Sequence, residues 1–336
     1  MISRTECEGS HTVTKQFIAF ITVWLISVAT ILIGAEALIR RRSPGSALLA
    51  VIATAFALHL ALYWLPGFPT LRKRIEEALG QGATPWGIGV ALILPYVVYG
   101  AGTGAWRPVP ALALCGLVVI VLGVYAVFPP KSRSLSWQDI AVMVLVALPL
   151  YTGWYRSVWP FPVYLDFMAR LFAVALVAFA VLSVRRLAGV GYEWRLASAD
   201  WLEGLKQLGF YSAVGIPLGF ALRFITWHPQ NIGLPILASF VGIFLFIAIP
   251  EELFFRGMLQ NLLEGSMHNP YAARAIASAI FGLSHIHHGF PNWRYVIMAA
   301  IAGWFYGTAW QARRSLMAAA VTHAAVDTLW HHFLTV

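Results

Sequence analysis

Long apolar runs separated by short polar joints dominate the chain. Runs of roughly 15–25 residues with few or no charges read as membrane-spanning helices. They fall at 17–39, 47–65, 86–105, 109–128, 140–155, 165–184, 208–222, 234–259, 271–286, 295–310 and 316–333. This pattern predicts an all-α, polytopic integral membrane bundle of about eleven spans, within a range of about 9–13. The stretches 71–79 and 192–206 mix polar and apolar residues and read as interfacial helices or cytoplasmic loops. Trp86, Trp106, Trp137, Trp154 and Trp159 fall near span ends, where an aromatic belt would put them.

Composition agrees with that pattern. Of 336 residues, 60% are hydrophobic and 11% charged, and the mean hydropathy is +0.73, far from a soluble domain. The net charge of +9 comes from basic residues clustered between the spans. Anchoring and orientation explain those clusters, so no nucleic-acid partner is expected. Under the eleven-span topology fourteen Lys and Arg fall on the side of the N-terminus and seven on the other, which favours a cytoplasmic N-terminus, with Arg40, Arg41 and Arg42 as the contrary run. The first apolar run is long enough to span and leads into arginines, so no cleavable signal peptide is expected. Cys7 and Cys115 have neither metal-ligand spacing nor a disulfide framework.

Chemistry concentrates in the last third. Ile249-Pro250-Glu251-Glu252-Leu253-Phe254-Phe255-Arg256 interrupts an apolar run that starts near Ile232. Two carboxylates and a guanidinium in hydrocarbon need partners or a wet cavity. On a helix Glu252 and Arg256, four apart, share a face, with the acid on the favourable N-terminal side. Glu251 points about 100° away, which leaves it for chemistry. Pro250 removes a backbone donor and bends the chain where Glu251 enters.

A second motif is Phe281-Gly282-Leu283-Ser284-His285, whose ring and imidazole are four apart on one face. The third is His323-Ala324-Ala325-Val326-Asp327 in the final span, set among alanines that allow close helix approach. His287, His288, His331 and His332 read as a polar fringe at span ends. Taken singly, each motif reads as an ion pair, a packed histidine or a structural hydrogen bond. Counted at about 1.5 Å per residue, however, Glu251, His285 and His323 reach one depth, roughly 10–20 Å from the same face, and so could meet in one cavity.

Glu-Glu-x-x-x-Arg, Phe-x-x-x-His and His-x-x-x-Asn/Asp in successive helices resemble the CPBP family, the CAAX proteases and bacteriocin-processing enzymes. The resemblance covers about 232–333 and implies an intramembrane glutamate-dependent endopeptidase of bacterial type. It implies that Glu251 and His285 activate water, that His323 and Asp327 stabilise the oxyanion, and that Glu252, Arg256 and Phe281 support them. Asp327 stands where the eukaryotic prenyl-protein enzymes carry Asn. An ionised Asp cannot donate to an oxyanion, so it would act by orienting and charging His323. The expected division is 1–207, a multi-span region of unknown role, and 208–336, the catalytic membrane domain.

The expected reaction is hydrolysis of a peptide bond in a membrane-anchored protein or peptide, in protein sorting or maturation. It would take place in the bacterial cytoplasmic membrane, with the lipid bilayer as the other partner and no cofactor. Two other classes stay open on the residues alone. Glu251, His285, His323 and Asp327 could together hold zinc in a metalloprotease, although no His-Glu-x-x-His sequence occurs. The same groups could form a proton or cation pathway in a transporter, although they are confined to one third of the chain. An idle scaffold that only binds membrane peptides is the third alternative.

Overall fold

The structure is a computed structural model, and it describes residues 4–42, 45–159, 166–195, 197–230, 233–289 and 292–335. Leu165 and Ile232, where one expected span and the motif-bearing stretch begin, lie outside the described residues, as do the side chains of Arg40, Arg41 and Arg42. The chain is an all-α polytopic membrane bundle. Among the described residues five helical stretches are long and apolar enough to cross a bilayer: Thr12–Ile33, Ser46–Gly67, Thr84–Thr103, Pro108–Val127 and Leu234–Met267. The protein is thus integral and multi-pass.

Two compact units form, one from residues 1–131 and 136–187, the other from 132–135 and 188–336. The first unit contains α1 (Arg4–Arg42), α2 (Ser46–Trp64), α3 (Pro69–Leu79), α4 (Thr84–Thr103), α5 (Pro108–Val127), α6 (Trp137–Tyr151) and α7 (Asp166–Phe179, extended by a π-turn at Ala180–Val184). Prolines open α3, α4 and α5, where a missing N–H is harmless. α6 starts three residues earlier than expected because Ser136 and Asp139 form a reciprocal capping box. Asp139 also accepts from the Tyr125 hydroxyl at 2.8 Å and from Arg185 Nε at 3.2 Å. α3 exposes Ile75 and Leu79 beside the ion pairs Arg72–Glu76 and Lys73–Glu77, the amphipathic surface that its mixed sequence suggested.

One belt residue is placed differently. Trp86, Trp106 and Trp137 are exposed, but Trp159 is fully buried. The segment after α6 folds inward, and Trp159 packs against His59, Tyr96 and Phe172. An apolar aromatic body is better placed in that ring cluster than at an interface.

The second unit contains α8 (Ser198–Ala221), α9 (Leu234–Met267), α10 (Pro270–Leu283), α11 (Trp293–Arg313) and α12 (Leu316–Phe333). The stretch 192–206, expected as an interfacial helix or a cytoplasmic loop, divides into irregular chain and the first turns of α8. α8 begins early because buried Asp200 meets Arg313 Nε at 3.1 Å and Gly204 lies against the Val321 side chain and the Ala318 carbonyl of α12. The alanines of α12 work as anticipated: Ala318, Ala319, Ala320 and Ala324 are fully buried. A two-residue antiparallel pairing of Thr226–Trp227 with Leu334–Thr335 ties the end of α12 to the chain after α8.

Candidate active site

α9 carries the acids, and its geometry is unusual where they sit. π-helical turns occupy Phe244–Ala248 and Leu253–Gln260, on either side of the α-helical Ile249–Glu252. Such turns widen the helix and re-aim the side chains that follow, and they recur at functional sites. Pro250 sits in the first turn of that short segment.

Glu252 and Arg256 are both fully buried and paired at 3.0 Å (Nη1 to Oε1). Arg256 Nη2 donates to the Gly303 carbonyl on α11 at 2.8 Å. Glycine at 303 eases this approach, since a Cβ there would lie 3.0 Å from both Nη2 and the Phe281 ring. The guanidinium stacks on Phe281 at 4.6 Å and Tyr306 at 5.3 Å. Two stacked faces and two hydrogen bonds offset the desolvation of this buried cation.

Glu252 does more than pair with arginine. Its Oε1 also meets His323 Nδ1 at 2.8 Å, so the ion pair anchors the imidazole of α12. His323 is buried, and its Nε2 faces two further carboxylates, Asp327 Oδ2 at 3.4 Å and Glu251 Oε2 at 3.9 Å. Those two acids are more open, with side chains 34% (Glu251) and 38% (Asp327) exposed. Glu251 Oε2 itself is buried and makes no hydrogen bond. One imidazole therefore links a sealed ion pair on one side to two accessible acids on the other.

His285 enters from a turn and not from a helical face. α10 ends at Leu283, and the chain tightens there, with the Ser284 and His285 N–H groups donating to Ile280 and Gly282. The Phe281 carbonyl left over at the helix end accepts from Ser284 Oγ at 2.7 Å and from His285 Nδ1 at 2.8 Å. A carbonyl only accepts, so Nδ1 carries the proton and Nε2 is the basic nitrogen in the neutral ring. His285 makes no ion pair with Glu251; it joins the group through Phe281, whose ring touches His285 at 4.8 Å and His323 at 5.8 Å.

The structure thus brings Glu251, Glu252, Arg256, His323 and Asp327 into direct contact, with Phe281 bridging to His285. Sequence reasoning missed the Glu252–His323 bond, the Gly303 acceptor, and Tyr295 and Tyr306, which lie flat on the two imidazoles. Among the described residues no three or more His, Cys, Asp or Glu side chains converge to hold a metal ion.

An all-α bundle of this kind, with an acid–imidazole cluster in its second unit, belongs to the class of polytopic membrane proteins. Comparison gives a narrower result: residues 232–329 match the family model for type II CAAX prenyl endopeptidases, Rce1-like. That family is one of CAAX proteases, and the motif-bearing third of this chain is similar to it. No curated protein and no solved structure matches the chain.

Proposed function

We propose that the chain is an intramembrane glutamate-dependent endopeptidase, cleaving a peptide bond of a membrane-anchored protein without a resident metal. The observation that carries the reading is the asymmetry of the two adjacent acids. Glu252 is fully buried against Arg256 and His323, whereas Glu251 is one-third exposed, with Oε2 3.9 Å from His323 Nε2. Glu251 takes a proton from water as the hydroxyl oxygen attacks the scissile carbonyl carbon. His323, held through Nδ1 on Glu252, donates from Nε2 to the developing oxyanion, and Asp327 orients it. The C–N bond then breaks, and the proton passes from Glu251, assisted by His285, to the departing amine. In this reading residues 208–336 form the catalytic domain, and residues 1–207, outside the stretch that matches the family model, have the expected role of receiving substrate in protein sorting or maturation. The bacterial cytoplasmic membrane is its proposed location.

The test uses full-length protein in proteoliposomes and two membrane-anchored peptides, one prenylated at a C-terminal cysteine and one acylated. Wild type should cleave at least one of them, with Glu251→Gln slower by about 10²–10⁴-fold while still binding it. A chelator should leave the rate unchanged. Wild-type rates in Glu251→Gln would refute the role of the glutamate, and abolition by the chelator would favour the zinc reading.

A further inference from the structure

The two imidazoles of the site come from different elements, α12 and the turn after α10, and α11 packs against both of these helices. α11 carries Tyr295 and Tyr306, eleven residues apart. On a helix that spacing leaves them only about 20° apart in direction and about 16 Å apart along the axis. They occupy one face. The Tyr306 ring lies flat on His323, at 4.5 Å between centroids and 15° between planes. Tyr295 lies flat on His285 at 5.3 Å and 11°, and its stack continues to His288 at 5.0 Å and 16°.

His285 is held at Nδ1 by the Phe281 carbonyl at 2.8 Å and Ser284 Oγ at 3.2 Å, and His323 is held at Nδ1 by Glu252 Oε1 and met at Nε2 by Asp327. Bonds at the ring nitrogens fix those atoms but leave each ring free to roll about them. A ring stacked on its face removes that roll, because tilting the imidazole breaks the contact. With the Nδ1 anchor and the plane both set, the direction of Nε2 is set as well. The edge of Phe281 closes the arrangement, since its ring contacts both imidazoles.

We infer that α11 is the positioning helix of the site, with Tyr295 and Tyr306 fixing the ring planes of His285 and His323 and with them the directions of both Nε2 atoms. The inference rests on the endopeptidase reading for its kinetic consequence, but the ring planes can be read without turnover. Tyr295 is the better probe. It is half-buried, whereas Tyr306 is 2% exposed and also supports Arg256.

In proteoliposomes Tyr295→Leu should lower kcat by roughly three- to tenfold, the range set by one aromatic stacking contact, with KM within about twofold. Tyr295→Phe keeps the flat ring and should restore kcat to within about twofold of wild type. With ¹⁵N-labelled histidine, the Nε2 resonance of His285 should shift or broaden in Tyr295→Leu and keep its wild-type position in Tyr295→Phe. Unchanged kcat in the Leu variant would overturn the inference. So would a Phe variant as impaired as Leu, or a loss confined to KM or melting temperature. If wild type fails to cleave, or Glu251→Gln cleaves like wild type, the endopeptidase reading fails on its own, and the ¹⁵N arm still decides whether Tyr295 holds the imidazole.

Discussion

Each compact unit buries a histidine in a helix, and the two could hardly be treated more differently. His59 on α2 is 1% exposed and surrounded by rings, with Trp159 at 5.7 Å and Phe172 at 6.5 Å, and neither of its ring nitrogens makes a hydrogen bond. His323 on α12 is 3% exposed and has three carboxylates within 4 Å. The acids of the two units differ in the same way. Asp139 is saturated by Tyr125, Arg185 and the cap of its own helix, whereas Glu251 keeps an oxygen unbonded. Burial of an ionisable group therefore does not mark a site; partners converging on a group that retains open valence do.

Three substitutions can break or sharpen that contrast. The largest effect belongs to Arg256→Met, which leaves Glu252 fully buried without its cation. It should cost about 3–5 kcal/mol, read as a lowered thermal midpoint of the full chain in detergent. Stability close to wild type would mean that Glu252 has another counter-charge. Next comes His323→Ala, which removes the proposed donor to the oxyanion. About 2.7–4 kcal/mol of barrier is at stake, so peptide cleavage should fall by roughly a hundredfold or more. The smallest effect is expected from His59→Phe. Replacing an unbonded buried imidazole by an apolar ring should change stability by no more than about 1 kcal/mol, on the stabilising side, with the cleavage rate unchanged. A large loss of cleavage in that variant would show that the first unit also carries chemistry.

Much of the second unit was legible because its signals are local. Glu252 and Arg256 pair across one helical turn as their spacing dictates, and the alanines of α12 pack as small residues do. What could not be read depended on tertiary placement. The bond from Glu252 to His323 joins residues 71 apart, and the Gly303 acceptor for Arg256 lies 47 residues downstream. His285 was assigned to a helical face, but the helix stops at Leu283 because the chain tightens into a capped turn. Tyr295 and Tyr306 did carry a faint signal, since an eleven-residue spacing returns to the same helical face. Without knowing that α11 lies against both histidine-bearing elements, however, that spacing points nowhere. Trp159 shows the opposite failure: a position near a span end suggested the interface, and a ring cluster drew the residue into the core.

The central claim is that Glu251 and His323 act together on one reacting centre. A double-mutant cycle on kcat tests it most directly, comparing wild type, Glu251→Gln, His323→Ala and the double variant on one membrane-anchored peptide. Groups that act as a unit are strongly non-additive, so the double variant should be barely slower than the worse single variant. Losses that multiply would mean that the two side chains work independently, and would contradict the account.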